Sequence, residues 1–429
     1  MAKVYISVLG VSPYKVCTYY FGDRKGPQNV RFVQESTVSL FCGDWNENDR
    51  ILIFTTDEAE RKNWIENGHD DGCPGLERCL QDLNLPMIPQ SVRIPDGRSE
   101  DEIWEIFLTI DRQLHTGDEV IFDVTHAFRS IPMLAIVVLQ YAKVIKNVAL
   151  KGIYYGALEV LGRPNEIDVI PLEQRLVRIF DLTPFSNLLD WSLAIDRFLG
   201  AGDASPACAL AGLTSTCEPT DSSMGHAGSP EMAGIAKALE DFSKALSTCR
   251  GPDIVPAVGA LKEQIALSEK KDLHPPFKPL LERLQTEMGA FGGDEVRDGI
   301  RAAKWCRDHN LIQQGYTILE ESIITYLTKF AGRNPLKRFH RTMAGKAIYI
   351  FHTGLPQESW DKEASENPDM INTYLGCLAN RPELAVVFNE LSEYRNDLNH
   401  AGYRKKRKTA FEFTGQLKEF IRRVEQAII

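Results

Sequence analysis

The chain is 429 residues long and contains no run of eighteen or more apolar residues, so no membrane-spanning helix is expected. Cysteine pairing motifs are missing too. Nine cysteines, at positions 17, 42, 73, 79, 208, 217, 249, 306 and 377, include no Cys-x-x-Cys pair. That argues against a zinc ribbon and a disulfide scaffold, and for a reducing, cytoplasmic setting. No Gly-x-Gly-x-x-Gly follows the first apolar run and no Walker A sequence occurs, so nicotinamide and nucleoside triphosphate cofactors are not indicated. No His, Asp and Glu cluster has metal-ligand spacing, and no metal site is expected. Positive charge is in deficit: the net charge is −10. The chain does not coat nucleic acid, and any contact with RNA or DNA must be local. The opening Met1 to Gly10 lacks a leader cleavage site and its apolar run is too short for a signal peptide. It reads as a first strand.

What is present is an ordinary globular balance, 43% hydrophobic and 25% charged, long enough for two to three domains. Apolar strand runs occur at Lys3 to Leu9, Arg50 to Thr55, Ser91 to Ile94, Glu119 to Val124 and Ala149 to Tyr155, with a sixth expected at Ile167 to Pro171. Helical segments lie between them: Arg31 to Phe41, one starting at Thr56, Ser99 to Leu114 behind a capping box, and Ser130 to Lys146. Strands alternating with helices predict an α/β domain with a mostly parallel sheet. Its ligands bind at the carboxyl ends of the strands. Those ends hold Gly10-Val11-Ser12-Pro13-Tyr14, Thr55-Thr56, Pro95-Asp96-Gly97 and Thr125-His126-Ala127-Phe128-Arg129.

From about Thr183 the strand runs stop and helical periods take over. The boundaries predicted are 1–182 for the α/β domain, 183–300 for a helical linker or insertion, and 301–429 for an all-α domain. Within the insertion, 200–230 is rich in Gly, Ala, Ser and Thr and reads as flexible or irregular.

Two stretches carry chemistry. In Asp123-Val124-Thr125-His126-Ala127-Phe128-Arg129 a buried strand ends in a polar loop that opens an apolar helix. Amides at a helix start favour anions, and Arg129 adds a phosphate partner; the alternative is that Asp123 and Thr125 simply cap the helix. In Arg395-Asn396-Asp397-Leu398-Asn399-His400, Arg395, Asn399, Asn396 and His400 fall at roughly 0°, 40°, 100° and 140° on a helical wheel. Leu391 and Leu398 seat the helix on its other side. Guanidinium, amides and imidazole on one ridge suit phosphate chemistry; the alternative is a polar face with Arg395 paired to Glu390 or Glu393. A second Arg and His pair, Arg333 and His340, is interrupted by Pro335, and Lys337 to Arg341 reads as a basic surface loop.

Asp123-Val124-Thr125-His126-Ala127 resembles the Asp-x-Thr-His-Gly signature of CRISPR-associated Rossmann-fold (CARF) sensors, with Ala127 in place of Gly. Lys3 to Gly10, Pro13-Tyr14 and Arg31-Phe32-Val33-Gln34-Glu35 resemble that family's opening. Arg395-x4-His400, with Asn396 after the Arg, is similar to the Arg-x(4–6)-His motif of HEPN ribonucleases, and Gln313 to Glu321 to their first long helix. The resemblance implies a Rossmann-like CARF domain followed by a HEPN domain. It implies an ancillary endoribonuclease of type III CRISPR defence, acting on single-stranded RNA as a homodimer or higher even oligomer, with no membrane partner. Arg395, Asn396 and His400 would be catalytic without metal or cofactor, and the RNA 2′-OH would be the nucleophile. Gly10, Ser12, Asp96, Gly97, Thr125, His126, Ala127, Phe128 and Arg129 would bind the activator, a cyclic oligoadenylate, with the tetra-adenylate the ring expected. Arg404, Lys405, Lys406 and Arg407 would attract RNA phosphates. The rival from another class is a non-catalytic, cyclic-nucleotide-responsive CARF regulator or dimerisation module.

Overall fold

Lys3–Leu9 forms the central strand, β1, of the computed structural model, which describes residues 1–65, 68–69, 72–126, 131–213, 230–269 and 275–428. Val4, Ile6 and Val8 project to one face of β1 and Tyr5 and Leu9 to the other, all buried. The strand is covered on both sides, which is why its sequence is almost continuously apolar. It pairs in parallel with β4 (Arg50–Thr55) and β6 (Glu119–Asp123). Further out, β5 (Pro89–Arg93) lies parallel to β4, and β7 (Ala149–Gly156) parallel to β6. Beyond β7 come β8 (Leu176–Asp181), antiparallel to it, then β2 (Thr18–Phe21) and β3 (Arg24–Lys25). The order is β3-β2-β8-β7-β6-β1-β4-β5. The Glu100–Gln113 and Ile131–Lys146 helices share a core with Val4, Ile6 and Val8. The Val33–Phe41 and Leu76–Gln81 helices contribute to the core with Tyr5 and Leu9. The capping box is present: Ser99 Oγ accepts the Glu102 N–H at 3.2 Å, and Glu102 accepts the Arg98 N–H at 2.8 Å. This is the mostly parallel, Rossmann-like α/β architecture that the alternation of strands and helices predicts.

One expected strand is misplaced. Ile167 to Pro171 is not a strand; Pro164–Ile167 is a helical turn with Pro at its first position, where the ring's fixed φ favours a helix start. The strand lies later, at Leu176–Asp181, where Val177 and Ile179 alternate into the core. Its partner β2 is unexpected as well. Both strands sit beyond β7, and pairing between Thr18 and Leu176 brings together segments with no local signal.

The chain divides into two compact units, Met1–Asn187 and Leu188–Ile429. In the second, every described element is helical. The principal helices are Pro230–Ser247, Gly251–Glu269, Lys278–Met288, Glu295–Asp308, Ile312–Phe330, Arg338–Thr353, Pro368–Asn380, Glu383–Asn399 and Glu412–Ile428. One core runs from Trp191 to Val424. Residues expected as a linker therefore share a core with the C-terminal helices: Met232, Ile235, Leu239, Phe242 and Leu246 form a buried stripe at helical spacing. Part of the expected irregular stretch 200–230 is a helix, Ser205–Leu210, with Ala207 and Cys208 buried; residues 214–229 lie outside the described residues. Trp191 and Trp305 are buried and Trp360 packs on the same core.

Candidate functional site

In the N-terminal unit, the sheet order sets the carboxyl ends of β6, β1, β4 and β5 side by side. Gly10 follows β1. Its N–H donates to the Tyr14 hydroxyl at 2.7 Å, and a Cβ at Gly10 would stand 2.9 Å from that oxygen, so a side chain there would have to displace the Tyr14 ring. The Gly10 and Ser12 carbonyls both accept from Asn63 Nδ2, at 2.8 and 3.0 Å. Asn63 is buried on the turn after β4, and its own Oδ1 meets His69 Nε2 at 2.9 Å. The Tyr14 ring rests on the His126 ring with centroids 4.3 Å apart. Burial pushes the His126 imidazole down to about 4, so it is neutral at pH 7, and its Nε2 has no hydrogen-bond partner among the described residues. Gly10, Ser12 and His126 are thus gathered by Tyr14, part of the family-like opening, and by Asn63, a side chain whose role carries no motif. Asp96 and Gly97 follow β5 on the far side of β4. Asp96 pairs with Arg98 at 2.7 Å, and Gly97 takes a left-handed φ of +73°. Among the described residues no hydrogen bond joins these two to Gly10, Ser12, Thr125 or His126. Ala127, Phe128 and Arg129 lie outside the described residues.

Beneath this loop cluster Asp123 is fully buried. It accepts the Tyr5 hydroxyl at 2.9 Å, the Thr37 hydroxyl at 3.1 Å, and the Thr125 N–H and hydroxyl at 2.9 and 2.6 Å. Thr125 Oγ1 in turn accepts the Gly156 N–H at 2.9 Å. The Thr125 hydroxyl therefore ties β6 to β7, and what it can offer a ligand is one remaining lone pair. Burial raises the Asp123 carboxyl above its ordinary range, against the pull of its hydrogen-bond donors. Asp123→Ala would remove the buried carboxylate that accepts four hydrogen bonds, leaving Tyr5 and Thr37 with each other and the Val33 carbonyl. We expect it to cost about 3–5 kcal/mol of stability by urea unfolding; a loss under 1 kcal/mol would show the network is not a structural hub.

In the C-terminal unit, Arg395 and Asn396 lie in the last turns of the Glu383–Asn399 helix, and His400 is its C-cap. The helix seats through Leu384, Val387 and Leu391. The His400 N–H still bonds the Asn396 carbonyl at 3.1 Å, while its side chain is exposed. Arg395 is not paired with Glu390 or Glu393. Glu390 is taken by Arg423 and Glu393 by Arg404. The Arg395 partner is Glu320, on the Ile312–Phe330 helix, with Nη1 to Oε1 at 2.9 Å. Glu320 is buried, and burial lifts its carboxyl to about 7 although Arg395 pulls it down. Arg395 Nε and Glu320 Oε2 are both buried without a hydrogen-bond partner. The contact is a single ion pair through one guanidinium nitrogen. Asn399 accepts from Gln313 Nε2 at 3.2 Å. No side-chain hydrogen bond joins Asn396 to His400 among the described residues.

The competing pair differs. Arg333 lies in the turn after Ile312–Phe330, and His340 Nδ1 is 3.0 Å from the Asn334 carbonyl. Lys337 to Arg341 is not a loop: Lys337 is the N-cap of the Arg338–Thr353 helix, and Arg341 pairs with Glu321. The basic run from Arg404 to Lys408 lies between helices, with Arg404 to Arg407 exposed. Among the described residues no group of three or more His, Cys, Asp or Glu could hold a metal ion, and no helix is long and apolar enough to cross a membrane.

Residues 4–159 match the family model described as the CARF domain of the CRISPR system endoribonuclease Csx1. Residues 4–159 are a CARF domain. It is 27% identical over 395 residues to the CRISPR-associated protein MJ1674 of Methanocaldococcus jannaschii, covering 80% of this chain and 57% of the relative. The chain thus spans little more than half the length of that relative. A solved chain described as Enterococcus italicus Csm6 bound to cyclic hexa-2'-fluoro-hexa-dAMP aligns over 100% of this chain and 94% of its own. The TM-score is 0.46 and the identity 11%.

Proposed function

We propose that this CARF-domain protein is a ribonuclease of type III CRISPR defence, switched on by cyclic oligoadenylate and cutting single-stranded RNA without a metal. One observation carries the reading: downstream of a CARF domain, Arg395, Asn396 and His400 share a helix end, with His400 open to solvent and Arg395 held by Glu320. The RNA 2′-OH attacks the adjacent phosphorus in line. His400 handles the proton or positions the 2′-OH, Arg395 stabilises charge on the phosphoryl oxygens, and Asn396 lies within the same turns. One ridge supplies one imidazole, so the site is completed by the same residues of a second copy. An exposed apolar stripe on the Ile131–Lys146 helix, Met133, Ile136, Val137, Tyr141 and Val144, supports two-fold association.

The residues assigned to the activator are Gly10, Ser12, Thr125 and His126, with Asp96, Gly97, Ala127, Phe128 and Arg129. The orphaned His126 Nε2 supports a ligand hydrogen bond there. Ring binding favours the dimer arrangement that completes the RNA site, and the protein works in the cytoplasm. The test is one assay: labelled RNA and DNA in EDTA, with cyclic tetra-adenylate, cyclic hexa-adenylate or no ring. The expected result is ring-dependent cleavage of RNA alone. No RNA cleavage with either ring, or cleavage abolished by EDTA, would overturn the reading.

A further inference from the structure

Tyr403 and Phe411 are 92% and 96% exposed, the most open aromatic side chains among the described residues. They bracket Arg404-Lys405-Lys406-Arg407-Lys408, in a chain whose net charge is −10. The segment carrying them is anchored. Ala401 (φ +50°) and Gly402 (φ +74°) turn the backbone away just after His400. The Gly402 N–H then bonds the Asp397 carbonyl at 3.0 Å, and the Tyr403 N–H bonds the His400 carbonyl at 2.9 Å. At the other end the Lys408 N–H donates to the buried Asp397 carboxylate at 2.9 Å, and the Lys408 ammonium sits 4.6 Å from the Tyr394 ring centre. Thr409 donates from its hydroxyl to Glu412 at 2.7 Å, at the start of the final helix. Arg404 is engaged by Glu393 at 3.1 Å. Lys405, Lys406 and Arg407 have no ion pair among the described residues.

A solvated charge run has no use for two bare aromatic rings. Rings and cations together on an anchored loop match what single-stranded nucleic acid requires: ammonium and guanidinium groups for phosphates, and flat apolar faces for unstacked bases. The Tyr403 amide is bonded to the His400 carbonyl, which ties the start of this loop to the helix end that carries His400.

We propose that Tyr403 and Phe411 are base-stacking platforms that hold single-stranded RNA across Lys405, Lys406 and Arg407. This rests on His400 being the ribonuclease centre. The experiment uses full-length protein carrying His400→Ala, so that RNA stays intact, with cyclic tetra-adenylate present. Binding of a labelled single-stranded RNA and of its duplex is followed by fluorescence anisotropy at several salt concentrations. Tyr403→Ala and Phe411→Ala should each weaken single-strand binding roughly tenfold, with the salt slope unchanged and duplex binding unaffected. Tyr403→Trp should restore it. Lys405→Gln, Lys406→Gln and Arg407→Gln should instead flatten the salt slope. Single-strand binding unchanged in the Tyr403→Ala, Phe411→Ala double variant overturns the proposal. So does a shift of that variant from dimer to monomer in sedimentation, which would assign the rings to a contact between copies. Loss of cleavage on His400→Ala alongside unchanged RNA binding in the double variant refutes the stacking and leaves the ribonuclease reading standing. Weakened binding in a protein whose unsubstituted form cuts no RNA does the reverse.

Discussion

His400→Ala should lower ring-activated RNA cleavage by about 10²–10⁴-fold while leaving activator binding and thermal stability unchanged. The stability half of this expectation comes from placement. His400 is an exposed C-cap residue whose bonds to the fold are made by its backbone, through the Asn396 carbonyl and the Tyr403 N–H. Truncating such a side chain alters stability by roughly 0.5 kcal/mol or less. The activity half comes from chemistry: no other imidazole lies on the ridge, and no carboxylate of the ridge is open to replace it, since Asp397 is buried and holds Lys408. Initial rates on a fluorescent single-stranded RNA, with melting curves and ring calorimetry on the same samples, decide it. Full activity in His400→Ala with loss in Arg333→Ala would move the site to the other Arg and His pair.

Arg395→Ala should act twice, on catalysis and on stability, and the second effect should depend on pH. Cleavage should fall about 10²–10³-fold through loss of charge stabilisation at the phosphoryl oxygens, with Arg395→Lys intermediate because a lysine lacks the planar fork. For stability, the group that titrates is Glu320, faced by Arg395 and Ser392 across the helix interface and by Glu321 on its own helix. Its carboxyl stands at about 7 in the fold against an ordinary 4.5. The folded state therefore holds a proton that the unfolded state gives up. Stability falls as pH rises through that window and levels off above about 7. Without the guanidinium the carboxyl climbs higher still, so the falling limb extends beyond pH 7. Arg395→Ala should differ from the native protein by about 1 kcal/mol or less at pH 5, and be less stable by about 2–3 kcal/mol at pH 8. Adding Glu320→Gln should remove the pH-dependent part. An equal loss at both pH values in urea titrations would show that Glu320 is not the titrating group.

Elements with strong local patterns were readable before any coordinates. β1, β4, β6 and the Ile312–Phe330 helix fall where hydrophobic runs and periods put them. Period and length suffice when a segment buries one face, or both, whatever its neighbours are. Weak local patterns failed for the same reason. β2 and β8 are short outer strands defined by each other across more than half of the N-terminal unit. The Pro230–Ser247 and Gly251–Glu269 helices read as a linker because periodicity does not say which core a stripe will enter.

At the functional positions the division is similar. By itself, the sequence determined that Arg395, Asn396 and His400 share a helical ridge and that Gly10, Thr125 and His126 end parallel strands, because 3.6-residue and two-residue periods are local geometry. Only the tertiary structure decided what each group meets there. Arg395 faces Glu320, seventy-five positions earlier in the chain; Asn63 grips the Gly10 and Ser12 carbonyls; Asp123 draws Tyr5, Thr37 and Thr125 together; Tyr403 and Phe411 are left bare. Burial, partner and charge state depend on contacts between distant segments, and no period within one segment encodes them.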